Sequence, residues 1–302
     1  MRAKLGLALV MFATLLAAGF VSAQELGAPF QKIKDGIYVY VGKDFNSNCG
    51  IVITQEGVVL IDSGHNPTDS RAIAAAIKKL TPLPIRYLID TEPHNDHTTG
   101  HFVFSPPALI VAHEGVTDSM KAAYSPQRNE KLMAESPAMR AAFEGYRLVV
   151  PHIEYRQKMT LNVGERTFEL FYQKNVHSEA DSAVWLPKER VLFSASGIVV
   201  NQINILRPFV TIPDILAAAK MMKALNPEHV IPGHGIPGTA KIFEDTEKYY
   251  ALLLERVGKL VKAGKSLDEI KKEVKMPEYD KWASQERMPS NIEAAYKAVK
   301  GN

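Results

Sequence analysis

The sequence predicts an α/β fold in which two sheets pack together and helices cover the outside. Two observations carry this. Short β-branched runs recur in two groups, separated by a stretch rich in Ser, Pro and charge. Each group is followed by sequence of helical period, with no linker and no short-period repeat, so both belong to one domain.

The first group holds "GIYVYVG" (Gly36 to Gly42), "GIVIT" (Gly50 to Thr54) and "VVLIDSG" (Val58 to Gly64), each bounded by glycine or polar turns. "NPTDSRAIAAAIKKL" then reads as a capped amphipathic helix with Thr68 or Asp69 near its start. "IRYLID" (Ile85 to Asp90) and "ALIVAH" (Ala108 to His113) are further strands. Residues Glu114 to Arg147 read as helical or irregular, and their position suits a cover for a cleft. The second group holds "TFELFYQ" (Thr167 to Gln173), "SAVWLP" (Ser182 to Pro187) and "RVLFSAS" (Arg190 to Ser196). A helix over Pro213 to Leu225 follows, then the strand "HVIPGHG", then mostly amphipathic helix from Thr239 to Lys275. Tyr249 and Tyr250 read as part of that helix's core.

The N-terminus has the three-part layout of an export signal. "MRAK" supplies positive charge, Leu5 to Phe20 is an unbroken apolar run too short for a comfortable membrane span, and Val21 and Ala23 suit cleavage. Residues 1–23 are therefore expected to be removed, leaving a single domain over 24–302 in a periplasmic or secreted protein with no stable membrane insertion; a retained anchor is the alternative. Removal takes Arg2 and Lys4 and no acid, so the formal charge of +3 falls to +1. Nothing remains that would track a phosphate backbone, which disfavours nucleic-acid binding. Cys49 is the only cysteine, so no intrachain disulfide can form.

The chemistry concentrates in "IDTEPHNDHTTGH" (Ile89 to His101). His94, Asp96 and His97 follow a buried strand on a loop, where rigid scaffolds display ligands. Imidazole nitrogen and carboxylate oxygen suit zinc. Asp96 and His97 can share one ion while His94 points toward another. His177, in "NVHSEADSAVW", and His234, in "VIPGHGIPG", also follow strands. Gly233 and Gly235 let the backbone bend so that the His234 ring projects inward. Histidine at three strand ends is a metal-site layout. There is no G-x-G-x-x-G, Walker A or G-x-S-x-G motif, so nucleotide and serine-hydrolase chemistries lack support.

With these motifs the chain resembles the metallo-β-lactamase-fold hydrolases, whose signature is H-x-H-x-D-H, a lone histidine, an acid or cysteine, then a final histidine. The resemblance runs from about Phe30 to Gly238 through "VVLIDSG", "PHNDHTTG" and "IPGHG". It implies an αββα sandwich of two mixed sheets with helices on the outer faces. It also implies two zinc ions, the first held by His94 and His177 and the second by Asp96, His97 and His234. Asp62 would support the site from behind.

Two positions depart from that pattern. Glu92 stands where the first histidine is expected, and Ser196 stands where many relatives have a bridging aspartate. Glu92 either ligates zinc, as carboxylates do, or hydrogen-bonds behind the first ion and leaves it weakly held. Glu92 with Asp96 keeps the carboxylate count of a site with histidine and bridging aspartate, which favours a retuned centre over a decayed one. Ser196 either fills space or marks the third metallo-β-lactamase subclass, which has serine there and varies at the first histidine. His101 reads as a packing or capping residue; His65 could reach the cleft but reads first as part of a surface turn; His113, His152 and His229 receive no role.

The expected activity is zinc-dependent hydrolysis of a small molecule, most specifically the opening of a β-lactam ring, with Asp96 orienting the attacking water. A lactonase or other ester hydrolase is the alternative on the same fold. An iron-using oxidoreductase and a non-catalytic metal-binding protein are the alternatives of another class.

Overall fold

The computed structural model describes residues 26–199 and 201–301; the export signal expected over residues 1–23 lies outside them. The first sheet has seven strands in sequence order: β1 (Phe30–Lys34), β2 (Ile37–Tyr40), β3 (Cys49–Thr54), β4 (Gly57–Ile61), β5 (Ile85–Ile89), β6 (Leu109–His113) and β7 (Ile153–Tyr155). Its first four strands run antiparallel and β4 to β7 run parallel. The second sheet comprises β8 (Lys158–Val163), β9 (Arg166–Tyr172), β10 (Ser182–Leu186), β11 (Val191–Phe193) and β12 (His229–Ile231), in the order β12-β11-β10-β9-β8. Only the β11–β12 pair is parallel, so both sheets are mixed.

Side chains alternate across each strand, and in the central strands both faces are apolar. Val59 and Ile61 of β4 face inward with Ile89 and Val111, against Phe168, Leu170, Val184 and Phe193 of the second sheet. Their neighbours Val58 and Leu60 face outward, against Ile73 and Ile77 of helix α1 (Pro67–Leu80). On the far side, Trp185, Leu192 and Val230 face α7 (Ile212–Ala224) and α8 (Lys241–Lys262). The layers are therefore helix, sheet, sheet, helix. Between them in sequence lie α2 (Asn95–Thr98), α3 (His101–Phe104), α4 (Gly115–Ala123), α5 (Pro126–Ala134) and α6 (Pro137–Ala142); α9 (Leu267–Glu273) and α10 (Met288–Lys300) follow α8. Among the described residues no helix is long and apolar enough to cross a membrane.

Several boundaries differ from the sequence expectation for local reasons. The cap of α1 is Asn66, whose side chain accepts from the Thr68 and Asp69 N–H groups, because Pro67 takes the first helical position where its missing N–H costs nothing. The "VVLIDSG" strand stops at Ile61 and "RVLFSAS" at Phe193; just beyond, Asp62 (φ 61°) and Ala195 (φ 54°) turn left-handed and leave the ladder. The segment Glu114 to Arg147 docks on α1, where Arg71 donates from Nε to the Ala142 carbonyl and from Nη2 to that of Glu144. It contributes no residue to the cavity described below.

Candidate metal centre

Asp62, Glu92, His177, Ser196 and His234 all follow the C-terminal ends of strands: β4, β5, β9, β11 and β12 in turn. Their loops are laced together through the backbone. Asn48 N–H donates to the Gly233 carbonyl (2.7 Å), Ser63 N–H to that of His97 (3.0 Å), and Gly233 N–H to that of Ala195 (2.8 Å). The Asn48 side-chain amide donates to the Pro232 and Gly235 carbonyls, 2.8 Å each. Gly235 is left-handed (φ 83°), as its expected bend requires. Gly233 serves a different need: a Cβ there would lie 2.2 Å from Ser196 Oγ. Space, not bending, demands that glycine.

Glu92 is fully buried, and its two oxygens face different groups. Oε2 contacts His94 Nδ1 and lies 3.5 Å from His177 Nε2, while Oε1 lies 3.3 Å from His97 Nε2. Glu92, His94 and His177 thus form one set of possible metal ligands, and Glu92, His97 and His234 form another, each within 4.8 Å. Asp96 Oδ2 borders the second set, 3.5 Å from His234 Nε2 and 3.7 Å from His97 Nε2. The structure places Glu92 between both sets instead of in the first alone.

The donor set fits a cation. His97 Nδ1 donates to Asp62 Oδ2 (3.0 Å), and His234 Nδ1 donates to the Phe45 carbonyl (2.8 Å). With those protons placed by their acceptors, the two Nε2 lone pairs face each other across 3.2 Å. Buried Glu92 Oε1 beside them has no hydrogen-bond donor. Acceptors converging without a donor are costly unless a proton or metal lies among them.

Charge follows the same geometry. Burial would raise the Glu92 carboxyl, but the rings of His97, His177 and His94 hold it well below the usual range. Burial would lower His97, yet Glu92, Asp62 and Asp96 lift it well above the usual imidazole value. His177 is lowered to about 3, first by burial and then by Arg207, against the pull of Glu92. Asp96 is held low by His97 against its own burial.

Asp62 also accepts from Thr91 N–H (2.8 Å) and Thr91 Oγ1 (2.7 Å), fixing the chain just before Glu92. Ser196 Oγ lies 3.5 Å from His97 Nε2. His101 packs between Asp90 (2.8 Å) and the Val149 carbonyl (2.8 Å). His65 takes the cleft position instead of the surface turn first expected of it, lining the cavity with Nδ1 3.9 Å from Asp96 Oδ2. Sequence reasoning missed Asp181, which accepts from the His177 and Ser178 N–H groups (2.6 and 2.8 Å) and shapes that loop. Burial, then Glu92, raises it to about 7. It missed Arg207 too, whose Nη1 donates to the His177 carbonyl at 2.8 Å. The only sequence signal for Asp181 was an acid four residues after a loop histidine; Arg207 gave none.

The two sets open into a cavity of about 430 Å³. Its walls come from Asp44 to Asn46, from Val199, Gln202, Asn204, Ile205 and Arg207, and from Ser284 and Arg287.

Two histidine sets at the strand ends of an αββα sandwich define a class of metal-binding hydrolases. The chain belongs to the metallo-beta-lactamase superfamily, which matches residues 42–234. It is 24% identical over 192 residues to a "Metallo-beta-lactamase type 2" of Elizabethkingia meningoseptica, covering 60% of this chain and 68% of that one. It is also 24% identical over 180 residues to a "2,4-dinitroanisole O-demethylase subunit alpha" of Nocardioides sp. (strain JS1661), covering 59% of this chain and 49% of that one. Among solved structures, a metallo-beta-lactamase from Pontibacter korlensis superposes with TM-score 0.57 at 20% identity, covering 72% and 95% of the two chains. An inverting sec-alkylsulfatase from Pseudomonas sp. superposes with TM-score 0.70 at 20% identity, covering 89% of this chain. This chain spans half the length of that enzyme.

Proposed function

We propose that the protein is an exported hydrolase that holds two zinc ions and opens β-lactam rings. The observation that carries this is the shared carboxylate. The first ion would be held by Glu92, His94 and His177, and the second by Asp96, His97 and His234, with Glu92 facing both. Glu92 would then supply the bridging carboxylate that Ser196 cannot. Bound zinc supplies Lewis acidity and brings the pKa of water toward about 7.

The chain's own groups do the rest. Asp62 fixes the His97 tautomer and so aims Nε2 inward. The Phe45 carbonyl does the same for His234. Asp96, ionised at neutral pH, accepts a hydrogen bond from the attacking water and orients it toward the carbonyl carbon. The cavity is of a size that takes small-molecule substrates. Serine at 196 with the Asp96, His97 and His234 set favours a β-lactam over the substrates of relatives with a bridging aspartate.

The test is hydrolysis of a chromogenic cephalosporin by the chain from Gln24 onward, titrated with zinc and repeated with a chelator. Turnover that rises with zinc and vanishes with chelator is the expected result. Silence at saturating zinc, with turnover of a lactone, would replace the β-lactam reading by an ester hydrolase.

A further inference from the structure

Ser196 and Gly197 are wedged between two of the loops that carry ligands. A Cβ at Gly197 would lie 2.5 Å from Val176 Cγ2, and one at Gly233 would lie 3.0 Å from Ser196 N. Val176 precedes His177 and Gly233 precedes His234, so the dipeptide abuts a neighbour of one ligand from each set. Both of its carbonyls are held by one side chain. Asn204 Nδ2 donates to that of Ser196 (3.1 Å) and to that of Gly197 (2.9 Å). Asn204 Oδ1 accepts from the Ile205 N–H at 2.8 Å, so this amide is committed within the chain although the residue lines the cavity.

Asn204 is held in turn from the C-terminal helices. Asn291 of α10 is fully buried, and its Nδ2 donates to the Asn204 carbonyl (2.9 Å) and to that of Arg287 (3.1 Å). Its Oδ1 accepts from Tyr249 OH of α8 at 3.2 Å. A short ladder flanks this contact. Ile203 N–H donates to the Ala283 carbonyl (2.9 Å), Ala283 N–H to that of Asn201 (2.9 Å), and Gln202 Nε2 to Ser284 Oγ (3.0 Å).

We propose that Asn204 and Asn291 are positioning residues, a buried amide relay through which α10 sets the spacing of the two ligand sets. A buried amide whose donors and acceptor are all paired has one favoured arrangement, and any shift strands a carbonyl away from water. The dipeptide meets its neighbours at close-packed contacts, which transmit a displacement instead of absorbing it. Among the described residues neither asparagine hydrogen-bonds a proposed zinc ligand, so the relay acts only through the loops. Asn291 also lies beyond residues 42–234, the span that the superfamily matches, and so braces the centre from outside it.

The inference rests on the zinc reading for its effect on metal binding, but the relay itself can be read without metal. The test is hydrogen exchange in the metal-free full chain at two amides. Gly233 N–H donates to the Ala195 carbonyl, and His177 N–H donates to Asp181. Asn204→Ala and Asn291→Ala should each speed exchange at both by about tenfold. Ile292→Ala, a loss of packing on the same helix, should not single out these two amides. Because the relay runs in series, the double variant should match Asn204→Ala alone. In calorimetric titrations with zinc, Asn204→Ala should weaken both binding steps by about tenfold, while Ile292→Ala leaves them in place. Exchange unchanged in both asparagine variants, a change at one loop only, or additive losses in the double variant would overturn the relay. If Asn204→Ala does not fold, Asn291→Ala against Ile292→Ala makes the same comparison with the Asn204 side chain intact. Linked exchange in a chain that binds no zinc would keep the relay and remove the zinc reading.

Discussion

Glu92 is the residue on which the centre turns. A carboxylate at this depth is tolerated because three imidazoles surround it, and its two oxygens divide between them. Glu92→Gln keeps the shape and removes the charge. Zinc content should fall from the proposed two per chain toward one, and turnover by about a hundredfold or more, read by elemental analysis and steady-state kinetics. Glu92→His alone should fare no better, since it restores a nitrogen but leaves the two sets without a shared carboxylate. Adding Ser196→Asp should recover the second zinc, and failure of that pair would mean the two departures do not compensate. The rings also predict an order of metal loss in acid. His177, at about 3, is neutral at any working pH and gives its lone pair without competing with protons. His97 is raised, so a metal must displace its proton, and affinity falls as pH drops below that raised value. Each proton displaced costs about tenfold in affinity per pH unit. Calorimetric zinc titrations from pH 8 to 6 should show one site weakening steeply and the other little; parallel weakening of both would refute this.

Strands and their ends were the legible part of the fold. The apolar runs of β2 to β6 and β9 to β12 announce themselves because both faces of each sheet are covered, so little alternation blurs them. β8 was missed because "KMTLNV" buries every second residue only partly and reads as polar. In the site, the histidines and acids were visible as side chains, but their orientation was not. The acceptor for His234 is a backbone carbonyl, which no residue type signals. The division of Glu92 between two sets arises only when the loops after β5, β9 and β12 meet in space. Gly233 shows how tightly the loop ends are set. Gly233→Ala should destabilise by about 1–3 kcal/mol through overpacking, shift His234 and cut zinc affinity. Ser196→Ala in the same chain removes the nearest clash and should return part of both losses, measured by denaturant melts and zinc titration.

The C-terminal helices were half legible: the long amphipathic α8 stood out, while α10 and its return to the cavity did not. Ile292 of α10 is buried against the α7–α8 layer. Ile292→Ala should cost about 2–4 kcal/mol of stability by urea unfolding and loosen the wall that Arg287 belongs to. Zinc content should hold, because no residue proposed as a ligand lies past His234. The pairing of Gln202 with Ala283 has a consequence for how such a protein diversifies. Ser284 and Arg287 bring part of the cavity wall from a stretch of chain that holds none of the proposed ligands, joined to residues 201–204 by a few hydrogen bonds. A collection of variants randomised only between residues 280 and 287 should drift apart in which compounds they accept while sharing one metal content, so this tail is a dial for preference that evolution can turn without retuning the chemistry.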